Sequence, residues 1–268
     1  MKYMTFNSSC SYCCLANLLE AYGIQKEDRE IVLEMGLPYL FSYDEAESAY
    51  QAGAMLQGKH WFDRYLGTIG FRFCEELIPQ AETVPYMQNH VPCMTGLKTE
   101  FGKHAMIYVG QQDGNYRFLN PHRAEDGQPD EMLFTDNQLI EVLSEVNAVG
   151  YLERTGETIS TGNADYENSL ICLRRYQADL HQFCAEFRTK EEIMAVVNTL
   201  FRPFAVDGLA MMELAGETAL AEELRQFQKE CMTLFRAGDC CPNKIVDLNR
   251  LGRIVEAYEV LIQKKLNQ

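Results

Sequence analysis

From Arg154 to Tyr166 the chain is rich in Gly, Thr, Ser, Asn and Asp and carries no hydrophobic periodicity, which marks a boundary between folded parts. The sequence changes character across it. Before it, short alternating runs typical of strands are mixed with helical patterns. After it, segments near 166–187, 190–202, 208–236 and 243–266 all repeat apolar residues at three- and four-residue spacing, as helices do. The expected organisation is an α+β domain over residues 1–155, built on an antiparallel sheet, followed by a helical bundle over 166–268. That bundle either packs on the first domain or forms a dimer surface.

The first domain opens on an amphipathic helix. Leu15, Leu18, Leu19 and Tyr22 share one face, Ser8 or Ser9 can cap its start, and Gly23 can stop it,. A short helix over Glu27–Met35 ends at Gly36, and the pattern from Asp44 to Leu56 predicts another. Phe71–Phe73, Val91–Leu97 and Tyr151–Glu153 suit strands, while 82–89 and 136–148 suit helices. The clearest strand is His104–Val109, which pairs with Tyr116–Leu119 in a hairpin,. With 110–114 as the loop and Val109 facing Asn115, His104 stands opposite Asn120. A register shift of two would leave them a diagonal contact.

The formal net charge of −15 argues against non-specific binding to nucleic acid or to anionic membranes. No apolar run of 18 residues and no signal-peptide core occurs,, so a cytoplasmic protein is expected. The ten cysteines are expected to be reduced thiols in a chain of this size. Neither a zinc pattern nor a Glu-x-x-His pattern is present,. No cofactor or metal is expected.

The chemistry concentrates on three residues. Cys10 falls at the start of the first helix, where unpaired N–H groups and the helix dipole favour a thiolate,. His104 at a strand start can serve as the base. Asn120 can accept the Nδ1 proton of His104, which aims Nε2 at Cys10. His122 is an alternative base, and Cys14, four residues after Cys10, is a competing nucleophile. His60 and His90 are expected to be structural.

Residues Cys10 to Gly23 resemble the nucleophile helix of the bacteriocin-leader peptidases, a papain-like cysteine peptidase class. Lys103–Gly110 resembles their histidine strand, and Asn120-Pro121 the Asp-Pro or Asn-Pro that follows it. A closer resemblance, over roughly residues 3–153, is to the N-terminal domain of the butirosin biosynthesis protein H family. It includes the segment Glu27–Met35, then Gly36-Leu37 and the aromatic run Tyr39–Tyr43. The resemblance implies a papain-like fold, Cys10, His104 and Asn120 as the catalytic set, and acyl transfer through a cysteine thioester. It also implies a small-molecule or peptide substrate and an acyl carrier protein as a partner. Two positions depart from the pattern: Met4 replaces an oxyanion-hole glutamine, and Ser11 the usual glycine. Asn7 or Ser8 could donate in that glutamine's place.

Three functions follow. The first is a cysteine-dependent acyltransferase or amide hydrolase. The second is a catalytically inactive papain-like scaffold that binds a small ligand or a partner. The third is a redox protein with a reversible Cys10–Cys13 disulfide.

Overall fold

A computed structural model describes residues 1–100, 102–160 and 162–268. It is an α+β structure divided into two compact units. One comprises Met1–Met35 and Gln57–Thr161, the other Gly36–Leu56 and Gly162–Gln268. The chain passes finally from the first unit to the second at residues 161–162. However, residues 36–56, expected in the first domain, pack with the helices instead.

In the first unit, helix α1 (Cys10–Glu20) precedes α2 (Asp28–Glu34). Helix α1 is not amphipathic as anticipated: every residue from Tyr12 to Leu19 is buried, the signature of a helix enclosed on all sides. Gly23, at φ 82°, follows its end, and the N–H of Ile24 reaches back to the Leu19 carbonyl, closing the helix in a Schellman-type turn.

The sheet strands are β3 (Phe71–Pro79), β4 (Cys93–Thr99), β5 (Gly102–Gln112), β6 (Asn115–Leu119), β7 (Glu131–Phe134) and β8 (Val146–Arg154). They form one antiparallel sheet in the order β3-β8-β4-β5-β6-β7. Helices α4 (Gln80–Asn89) and α5 (Asp136–Val142) place Met87, Leu139 and Leu143 in a core with Tyr108, Phe118 and Val149. Helix α3 (Lys59–Leu66) joins α1 to the sheet through edge-to-face contacts from Tyr12 to Phe62 and from Phe62 to Phe73. A Cβ on Gly150 would lie 2.0 Å from the Phe73 ring, so only glycine fits beneath that aromatic.

Two expected helices give way to strands. Helix α5 stops at Val142 rather than 148, because Asn147 bonds both the N–H and the carbonyl of Ser144 and turns the chain into β8. Residues 44–56 are not helical either. They complete the hairpin of β1 (Phe41–Asp44) and β2 (Ala49–Ala52), ahead of a single 3-10 turn. Asp44 Oδ1 accepts from Ala46 and Glu47 N–H in the turn. Tyr43 pairs with Tyr50, and the Arg175 guanidinium lies 3.6 Å over the Tyr43 ring. Side chains that could line a helix stripe are used as a two-residue alternation.

In the second unit this hairpin packs with α6 (Ala164–Ala185), α7 (Lys190–Val196), α8 (Leu209–Ala215), α9 (Thr218–Ala237) and α10 (Leu248–Leu266). Phe204 stacks between Phe41 and Tyr176. The run expected over 208–236 is broken at Gly216, φ 74°, and that near 190–202 passes into π-helical turns over 197–208. Thr189 and Glu192 cap α7 reciprocally,. Among the described residues no single helix is long and apolar enough to cross a membrane.

Candidate active site

Cys10 is the first residue of α1, preceded by Ser9 at the N-cap. Ser9 does not cap with its side chain. Its hydroxyl is committed to the Phe6 carbonyl and to Asp28. The N–H groups of the first turn are therefore left without a side-chain cap. Asp28 is fully buried and holds the approach to the helix: its carboxylate accepts from Thr5 N–H, the Thr5 hydroxyl and the Ser9 hydroxyl.

The β5–β6 hairpin brings the base to its partner by a route other than the one expected. Asp113 and Gly114, at φ 52° and 79°, form a two-residue turn, with Gln112 opposite Asn115. Both residues need positive φ, the requirement of a type I′ turn. A bulge then falls between Tyr108 and Gly110, and Ile107 pairs with Leu119. Continued one step, this register sets Asn120 level with Met106, not His104. The contact survives as a diagonal, with His104 Nε2 3.0 Å from Asn120 Oδ1. Asn120 is itself buried and fixed by its Nδ2 donating to the Pro129 carbonyl. The ring is turned relative to the expectation: Nε2 faces Asn120, which leaves Nδ1 for Cys10.

His104 bonds Asn120 and stands near enough to Cys10 for the two to influence each other's ionisation. Burial opposes ionisation of the Cys10 thiol most strongly. A hydrogen bond with His104, the Ala105 backbone N–H, the charge of His104 and the Ser11 hydroxyl together outweigh it, so the pKa lies below that of an ordinary thiol. For His104, burial again disfavours the charged ring, but Cys10, Asn120 and the Pro121 carbonyl raise its pKa on balance. Each group favours the charged form of the other,.

The competitors are placed elsewhere. Cys13 and Cys14 are wholly buried, and burial pushes both thiols up. Cys13 donates to the Lys2 carbonyl. His122 has both nitrogens engaged, Nδ1 with Asp126 at 2.7 Å and Nε2 with Asp130 at 2.9 Å. It is a structural pin between two carboxylates, with no nitrogen left to act as a base. His90 bonds the Tyr86 carbonyl through Nδ1 and stacks on Tyr151. All ten cysteines are free. Among the described residues no three His, Cys, Asp or Glu side chains gather as metal ligands would.

Beside Cys10 lies a cleft of about 300 Å3. Gly96, Ala105, Ala148 and Gly150 from the sheet, Gln57 and Ser11 are among its lining residues. The small side chains leave room over the strands. Gln57, which carries no motif signal, was not anticipated at the site. No protein-family model matches the chain, and no curated protein matches it.

Proposed function

We propose that the first unit is a papain-like cysteine enzyme that transfers or hydrolyses an acyl group through a thioester on Cys10. The observation that carries this is the Cys10–His104–Asn120 chain. It contains a thiol whose pKa is lowered against its own burial, a base near enough to favour the thiolate and a buried amide that holds the base. Cys10 Sγ attacks the acyl carbonyl, and the tetrahedral oxyanion faces N–H groups at the start of α1. The leaving thiol or amine departs with the His104 proton. An incoming amine or water then gives its proton to His104 and takes the acyl group, which frees the Cys10 thiolate. The product is an amide or an acid.

The substrate is a small acyl donor or peptide end that enters a 300 Å3 cleft, with an acyl carrier protein as one form of donor. Ten unpaired thiols suit a reducing, cytoplasmic setting. The test is incubation with acyl thioesters, with and without amines, followed by intact-mass and product analysis. Acylation confined to Cys10 and abolished in C10S is expected. Absence of acylation by any donor, with an ordinary Cys10 pKa, would leave the inactive-scaffold alternative.

A further inference from the structure

Attack by a thiolate on a carbonyl leaves negative charge on oxygen, and that charge needs donors fixed in advance. The first turn of α1 provides backbone N–H groups. Beside this turn, and also lining the cleft, stands Gln57, in the loop that leads into α3. Its Oε1 accepts from the Ser11 hydroxyl at 2.6 Å, and Ser11 is the neighbour of the nucleophile. With Oε1 held, the amide is oriented and its NH2 is the free end. Among the described residues that NH2 has no protein partner.

We infer that Gln57 is a catalytic residue of this cleft: its side-chain amide donates to the oxyanion, and Ser11 is the positioning residue that aims it. This rests on the acyl-transfer reading above. Hydroxyl and amide make a device that neither makes alone. A surface glutamine without a fixed oxygen would sample many rotamers, and the Ser11 hydroxyl supplies the fixed point. Gly58, at φ 89°, turns the chain sharply after Gln57 and starts α3, so the glutamine sits on a defined corner.

The experiment compares two reactions of Cys10 in the full chain. Alkylation by iodoacetamide proceeds by displacement and forms no oxyanion. Acylation by p-nitrophenyl acetate and by the acetyl thioester of N-acetylcysteamine does form one. In Q57A and the uncharged, similarly sized Q57L, alkylation is expected close to the wild-type rate and acylation about 100-fold slower, the size of one lost donor. S11A, which also removes one of the contacts that lower the Cys10 pKa, is expected to slow acylation by more than it slows alkylation. Equal losses in both reactions would mean that Gln57 only shapes the cleft, and no loss in either would mean that the backbone suffices. Both outcomes overturn the assignment while leaving Cys10 acylation intact in the wild type. A wild-type Cys10 that alkylates readily but accepts neither ester would overturn the acyl-transfer reading itself.

Discussion

His104 and Asn120 touch at 3.0 Å although they are not cross-strand partners. The bulge after Tyr108 and the two-residue turn at Asp113-Gly114 together move the register by two, and a residue two places along the opposite strand remains within reach of a long side chain. The contact therefore depends on the bulge. It also fixes which ring nitrogen is available, because Nε2 is held by Asn120.

The first prediction concerns the thiolate. Alkylation of Cys10, followed peptide by peptide by mass spectrometry across pH, should reach half its maximum below the ordinary thiol value of about 8.5. Cys13 and Cys14 should not react in the folded protein, since burial raises both. In H104A, burial stands against fewer favourable contacts, and the profile should move to higher pH. Acylation should fall by about 100- to 10,000-fold with loss of the general acid–base group.

Removal of the orienting amide tests the diagonal contact. In N120A the imidazole loses its fixed direction, and the Pro129 carbonyl loses its donor. Acylation should fall by about 100-fold, the cost of a misplaced reacting group. N120D should recover much of it, because its carboxylate can still accept from Nε2. A loss equal in both variants would sink the orienting role.

The buried Asp28 carboxylate organises the approach to the nucleophile. D28A strips the acceptor from Thr5 N–H and from the Thr5 and Ser9 hydroxyls. Urea unfolding should show a loss of about 2–4 kcal/mol, and Cys10 reactivity should drop with it. The Cys10 part of this is checked by alkylation at denaturant concentrations well below the transition.

His122 should give a pH-dependent contribution of known sign. Burial opposes its charge, but Asp130, the Arg123 carbonyl and Asp126 outweigh it and raise the pKa. The stabilisation is complete below the unfolded imidazole value near 6.5 and is lost as pH rises through the higher folded value. The Tm difference between wild type and H122N should be largest near pH 6 and shrink toward pH 9. A difference that grows over that range would contradict the two-carboxylate arrangement.

Asp207 carries the same sign in the helical unit. It is buried in the π-helical turns, Oδ2 has no hydrogen-bond partner, and Arg202 stands 3.4 Å away. Burial raises its pKa to about 6 against this cation. Stability should rise as pH falls from about 6 to about 4, by up to about 3 kcal/mol at 1.36 kcal/mol per unit. D207N should be more stable than wild type at pH 7 and lose this dependence.

Much of this was legible in the sequence, for physical reasons. Cys10 at a helix start, His104 on an apolar strand and Asn120 before Pro121 are local signals; in the structure His104 bonds Asn120 and lowers the Cys10 pKa. The register was off because the Asp113-Gly114 pair, a strong two-residue turn signal, was absorbed into a longer loop. The bulge had no signal except Gly110. The hairpin over 41–52 was missed because Ala46, Ala49, Gly53 and Leu56 recur at helical spacing, whereas the strands pack against Arg175 and Phe204, more than 120 residues away. Gln57 was invisible for a similar reason: only the fold puts it beside Ser11.

The assignment of residues 36–56 to the helical unit has a consequence for synthesis on the ribosome. The chain leaves the first unit after Met35, makes β1 and β2, and returns at Gln57. Phe41 and Tyr50 emerge early, yet Phe204, Tyr176 and Tyr258, which they pack against, are among the later residues to appear. For most of translation this hairpin must wait with its aromatic side uncovered, and a two-stranded ribbon is marginal by itself. The nascent chain thus carries a sticky segment in the middle of an otherwise completed first unit, a natural point for chaperone capture. By the same token, no single cut of the gene separates the two units: expression of 162–268 alone would leave Phe204 without Phe41 and Tyr176 without Tyr50.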